Sequence, residues 1–116
     1  MSTPMPDNPF LQGFFEPLQM ECDAPDLIIE GEIPSDLNGS FYRNGPNPRY
    51  APLGQHHLFA GDGMTHAFHI EDGRVSYTNR WIRTAKFKLE DELKRSVISP
   101  MNPFECDEEY QDFIFT

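Results

Sequence analysis

Cysteine, tryptophan and basic residues are all scarce in this chain. Of its 116 residues, two are Cys (Cys22 and Cys106), one is Trp, and nine are Lys or Arg. The two distant cysteines form no CxxC pair and no metal-ligand spacing, and a secreted chain of this size ordinarily carries more of them in a framework. They read as ordinary thiols in a reducing compartment, so the cytoplasm is the expected location. Nineteen acidic residues against nine basic leave a formal charge of −10. That balance argues against nucleic acid as a partner, because a phosphate backbone needs a basic surface. It also argues against charge-driven adsorption to anionic lipid. No stretch approaches the roughly twenty apolar residues of a membrane helix, so no transmembrane segment is expected. The first ten residues hold neither a basic region nor an apolar run, and do not read as a signal peptide. No nucleophile motif or phosphate loop occurs anywhere in the chain.

What is present is proline, aromatic residues and glycine turns. Hydrophobic residues make up 38% of the chain, an ordinary value for a folded protein. The length suits at most one small domain with a thin core. Eleven prolines are about twice the usual share and punctuate short extended segments rather than long helices. Three stretches follow. Residues 1–26 form a proline-rich, acidic arm, with Phe10, Leu11, Phe14 and Phe15 available to pin it to a folded body. Residues 27–84 carry the strand signals. Residues 85–116 hold a short helix and an acidic, proline-containing tail whose apolar ending, Phe113-Ile114-Phe115, reads as an interrupted chain.

Within the middle stretch, Leu27–Ile33 is a β-branched run closed by Pro34 and is predicted to be a strand. Gly39–Arg43 is predicted as a second, stopped by the turn signal Asn44-Gly45-Pro46-Asn47-Pro48. Asp72-Gly73 predicts a two-residue hairpin turn. Pairing outward from it sets Glu71 opposite Arg74, Ile70 opposite Val75, Phe68 opposite Tyr77, His66 opposite Asn79 and Met64 opposite Trp81. A slip of one residue would turn Met64, Phe68 and Ile70 to the other face, so the register is strongly specified. Gly61-Asp62-Gly63 is a further tight turn, allowing His56–Ala60 to run back beside the hairpin as a third strand. Leu89, Leu93 and Val97 predict an amphipathic helix over Phe87–Val97, with Glu90/Lys94 and Asp91/Arg95 pairs on its surface.

Four histidines, His56, His57, His66 and His69, invite a metal-site reading. On one strand His66 and His69 point to opposite faces, and the adjacent His56 and His57 also diverge. At most, His66 could meet His56 or His57 and the carboxylate of Asp62, a two-histidine one-carboxylate set. The plainer reading is that His66 hydrogen-bonds Asn79 and fills core space. Asp62, between two glycines, reads as a turn residue bonding its own backbone. Arg43 could hold a substrate carboxylate, although such an arginine more often ties a turn to a buried carboxylate or carbonyl.

Several segments, in order and spacing, carry a resemblance. They are Gly31–Pro34 followed by Asp36-Leu37 and Gly39 (GEIPSDLNG), Tyr42–Pro48 (YRNGPNP), His57–Phe68 (HLFAGDGMTHAF), and then Asp72–Val75, Tyr77–Trp81 and Arg83-Thr84. Together the set resembles the opening of the carotenoid cleavage oxygenase family, which takes in carotenoid and apocarotenoid dioxygenases, stilbene-cleaving enzymes and a retinoid isomerase. Ala60 departs from the Asp usual there. The resemblance implies an all-β chain, the first blade and amino-terminal arm of a seven-bladed β-propeller that is incomplete here. It also implies ferrous iron, Fe(2+), held by four histidines, with glutamates orienting some of them. An apolar polyene or stilbene substrate would be cleaved by dioxygen into two carbonyl products. Those ligands lie on later blades, so no catalytic, cofactor or metal residue is carried over to this chain, and the fragment alone is expected to bind no iron and to be inactive. Two rivals stand beside this reading: a small non-catalytic β domain acting as a binding or assembly module, and a compact metal-binding barrel using His56, His66 and Asp62.

Overall fold

A computed structural model describes residues 4–53, 56–57 and 59–99. Its centre is the predicted hairpin. Strands β3 (Gly63–Glu71) and β4 (Arg74–Trp81) pair antiparallel from Glu71↔Arg74 to Met64↔Trp81, the register read from the sequence. Asp72 (φ 51°) and Gly73 (φ 73°) both adopt left-handed backbone, as a two-residue turn matched to the strand twist requires. Strand β2 (Gly39–Pro46) pairs along the far side of β3, from Gly39↔Ile70 to Pro46↔Gly63. A two-residue strand β1 (Asp23–Ala24) pairs with β4, giving a four-stranded sheet in the order β1-β4-β3-β2.

Three strand expectations are corrected. β2 continues past Arg43 to Pro46 instead of stopping at Asn44. It is an edge strand, where the N–H that proline lacks leaves no ladder bond unmade. The third strand of the meander is therefore β2 and not His56–Ala60. Among these residues the chain turns, with the Ala60 N–H donating to the His57 carbonyl. Leu27–Ile33 is not a strand. It touches the sheet through one bond, Leu27 N–H to Val75 C=O at 2.9 Å, then peels away through Gly31 (φ 94°) and leaves Ile28 exposed.

The helix α1 spans Ala85–Leu93, starting and ending earlier than the apolar spacing predicted. Thr84 caps it, its Oγ1 accepting from the Phe87 N–H at 3.0 Å. Lys94 in left-handed conformation ends it. Its buried face is Phe87 and Glu90 rather than Leu89 and Leu93, while Val97 is buried beyond the helix. The reason is local. Phe87 packs on Trp81 with ring centroids 5.7 Å apart, and Glu90 accepts the N–H groups of Val97 and Ile98. The ion pairs differ too, being a largely buried Lys86–Glu90 and an exposed Lys94–Asp91.

Met64, Trp81 and Phe87 form the core cluster. Of the arm's four apolar residues only Leu11 is buried; Phe14 is fully exposed and Phe10 and Phe15 are about half so. Polar clamps fix the arm instead. Asn79, 2% exposed, accepts from Cys22 N–H and donates to the Met20 carbonyl. Glu21 accepts from Trp81 N–H and from both terminal nitrogens of Arg83. Cys106 and the tail from residue 100 lie outside the described residues.

Candidate functional site

The arm, the end of β2 and the turn before β3 border an open hollow of about 420 Å³. Phe10, Phe14, Phe15, Glu16 and Leu18 line it from the arm, Arg43 and Gly45–Pro48 from β2 and the following turn, and His56, Phe59 and His66 from the other side. One wall is the end of β2 with Asn47 and Pro48, which follow it. Asn47 donates its backbone N–H to the Asp62 carbonyl at 2.6 Å and accepts the Trp81 indole N–H at 2.8 Å. Its side-chain amide bonds both the N–H and the carbonyl of Leu18, at 2.8 and 2.9 Å. One asparagine thus joins arm, turn and sheet. Arg49 then lies over the rings of Trp81 and Tyr50, at 5.2 and 4.8 Å from their centroids.

The four histidines do not converge: His56 and His66 line the hollow, while His57 and His69 lie outside its lining. His66 faces the hollow, and its partner is not Asn79 but the Tyr77 hydroxyl, 2.6 Å from Nδ1, with the two rings stacked. Asn79 is already committed to the arm, which leaves the neighbouring phenol to satisfy the imidazole. Burial, and then the Arg43 guanidinium, hold His66 below the usual histidine range. His56 is likewise lowered by burial and by His57, and its Nδ1 is buried with no hydrogen-bond partner among the described residues. His57 is exposed, accepts the Phe59 N–H and lies against that ring. His69, on the opposite face of β3, bonds the Ser40 hydroxyl. No group of three His, Cys, Asp or Glu side chains gathers as metal ligands among the described residues.

Asp62 does not bond its own turn as expected. Its carboxylate reaches out, accepting the Arg49 N–H at 3.0 Å and the Lys86 ammonium at 3.2 Å. Lys86 in turn bonds Glu90 at 2.7 Å, and the carboxylate of Glu90 is almost wholly buried. Burial alone would lower the Lys86 ammonium, but Asp62 and Glu90 outweigh it and hold it above its ordinary value. Arg43 makes no ion pair among the described residues and ties the turn to no carboxylate; it lies beside His66 on the hollow's wall. Sequence reading missed Asn47, Lys86 and Glu90. The signal for the last two is a lysine and a glutamate four apart on one helix face, a spacing that reads first as a solvated surface pair.

Chemically, the hollow offers aromatic walls and two imidazoles that burial makes harder to protonate, and no nucleophile–base pair lies among its described lining residues. It is suited to an apolar, aromatic group.

Comparison with known proteins gives the class. The pattern of the retinal pigment epithelial membrane protein family (RPE65), of which the carotenoid cleavage oxygenases are members, matches residues 15–113, and the chain belongs to that family. Isoeugenol monooxygenase of Pseudomonas nitroreducens is 42% identical over 102 residues, which are 87% of this chain and 21% of that enzyme. Carotenoid 9,10(9',10')-cleavage dioxygenase 1 of Pisum sativum is 43% identical over 83 residues, 71% of this chain and 15% of that one. The crystal structure of Pseudomonas brassicacearum lignostilbene dioxygenase superposes with a TM-score of 0.86 at 35% identity, covering 92% of this chain and 23% of that protein. The chain therefore spans about a fifth of the length of the curated relatives it matches, and the match lies in their amino-terminal part. No helix among the described residues is long and apolar enough to cross a membrane.

Proposed function

We propose that this chain is the opening part of a non-haem Fe(II) dioxygenase that cleaves a conjugated carbon–carbon double bond with dioxygen, and that an aryl-conjugated alkene, rather than a carotenoid, is its substrate. One observation carries the choice. Relatives named for isoeugenol, resveratrol and lignostilbene match 87%, 84% and 92% of the chain, against 71% for the pea carotenoid enzyme and 70% for an apocarotenoid oxygenase structure from Synechocystis. The aligned stretch is thus longer for these aryl-alkene relatives than for carotenoid cleavage dioxygenases, which reach 71% to 76% of the chain.

Under this reading the sheet is the first blade of a seven-bladed propeller, and the aromatic hollow is part of the wall along which the substrate's ring passes. The residues present do not fit an Fe(2+) centre of four histidines, because the four here diverge. Iron is held by histidines elsewhere in the protein, and the 116-residue chain alone neither binds it nor turns over. What this chain contributes is shape: an aromatic surface with two imidazoles beside it, bordered by the arm. A self-contained binding module would not leave Phe14, Ile28 and Phe59 at 106%, 97% and 76% exposure, which favours faces made to meet the rest of a larger protein.

The test is turnover by the protein encoded by the reading frame that contains this chain, supplied with ferrous iron and oxygen and offered a hydroxylated stilbene or a carotenoid. Paired aryl aldehydes from the stilbene are expected. Cleavage of the carotenoid alone would overturn the substrate class, and oxygen-dependent cleavage of neither would overturn the function.

A further inference from the structure

Lys86 and Glu90 are two charged residues on the inner face of α1, a costly place for charge unless it does something an apolar pair could not. Lys86 bonds Asp62, and these two side chains line a small cleft together with Pro48 and His56, which also line the hollow. Asp62, which Lys86 holds, is clamped from the other side by the Arg49 N–H, and its own carbonyl receives the Asn47 N–H. One residue earlier, Gly61 sits so close to Pro48 that a Cβ there would lie 2.7 Å from the proline ring. Pro48, His56 and Phe59 all line the hollow. The segment from Phe59 to Asp62 therefore ends between the Asn47-Pro48 turn on one side and α1 on the other. Glu90 completes that side, its second oxygen taking the N–H groups of Val97 and Ile98.

We propose that Lys86 and Glu90 are positioning residues that, through Asp62, set the placement of His56 and Phe59 on the hollow and so tune the fit of the substrate's aromatic ring. This rests on the reading of the hollow as a substrate wall. Neither residue touches the ring; each acts through the carboxylate of Asp62.

The experiment compares wild-type, Lys86→Met, Glu90→Gln and Lys86→Arg forms of the iron-loaded protein encoded by the full reading frame, measuring kcat and KM for a hydroxylated stilbene together with iron content and melting temperature. Glu90→Gln keeps a carbonyl for Val97 and Ile98 but turns an amide toward Lys86. Lys86→Arg keeps the positive bridge. Loss of contacts made equally in the ground and transition states raises KM and leaves kcat alone, so Lys86→Met and Glu90→Gln are expected to raise KM about tenfold, roughly 1.4 kcal/mol of binding, with iron content and kcat nearly unchanged, and Lys86→Arg to restore most of the affinity. If KM stays at the wild-type value in both, or if kcat, iron and melting temperature fall together while KM does not move, the proposal is wrong. A wild-type protein that cleaves no stilbene refutes the functional reading instead. Should Lys86→Met fail to fold, Glu90→Gln decides by the same criterion.

Discussion

Replacing Asn47 with Ala tests the claim that the turn after β2 is a structural joint between arm and sheet. The side chain, 7% exposed as part of its residue, makes two good hydrogen bonds to the backbone of Leu18. Truncation removes both and leaves the Leu18 N–H and carbonyl to water, at a net cost of about 1 kcal/mol each. The loss is local. It raises the population in which residues near Leu18 lift from the sheet, so about 2 kcal/mol becomes a roughly thirtyfold faster amide exchange there. Hydrogen exchange read by mass spectrometry on peptides covering residues 16–22 measures it, with the β3–β4 hairpin as internal control, since its ladder does not involve the Asn47 side chain. Asn47→Asp sharpens the test. It keeps one acceptor but sets a buried carboxylate against the Leu18 carbonyl, and should accelerate exchange at least as much as Ala. Exchange unchanged in both variants would refute the clamp.

Other perturbations have equally definite outcomes. Met64→Ala empties a wholly buried position in the Met64–Trp81–Phe87 cluster and should cost about 3 kcal/mol in denaturant titration. Gly73→Val places a β-branched side chain at φ 73° and should cost about 1–2 kcal/mol without changing the register. Stability should hold a plateau between about pH 7 and pH 10. His56 and His66 are depressed by burial, so their contribution is complete above 6.5 and is lost as pH falls through their folded values. Glu21 and Asp91, depressed by their bonds to Arg83 and Tyr50, extend the loss below 4.5 and 3.8. On the alkaline side burial, and then Asp91, push Tyr50 up to about 12, so its contribution is complete below 10.0 and is lost as pH rises toward 12. Tyr50→Phe should shrink that limb, with Tyr77 and Lys86, also raised, supplying the remainder.

The hairpin was legible because two independent constraints agree on it. Asp72-Gly73 demands one turn, and the apolar alternation on either side accepts only one register. The other strands lacked that double constraint. Nothing in Leu27–Ile33 says that β4 offers it a single hydrogen bond, since β-branched composition records burial without naming what covers it. Pro46 misled in the opposite direction, because a proline ends a central strand but not an edge. The helix failed on the same ground: counting Leu89, Leu93 and Val97 as the inner stripe assumes that apolar residues alone face inward, whereas Glu90 is drawn in by two orphan amide groups. At the site, alternation alone sufficed to keep His66 and His69 apart. The reach of Asp62 to Lys86 crosses from turn to helix, and long-range pairs of this kind leave no local trace. The family was readable because its motifs are turns and strand ends, where the backbone admits few residue types.

The most direct measurement is the iron content of the protein encoded by the reading frame that contains this chain, alongside variants carrying Ala at His56, His57, His66 or His69. The account predicts about one iron per protein in the wild type and in every variant, because the metal is held outside this chain. Absence of bound iron from the wild type, or its loss on replacing any one of these four histidines, would contradict it.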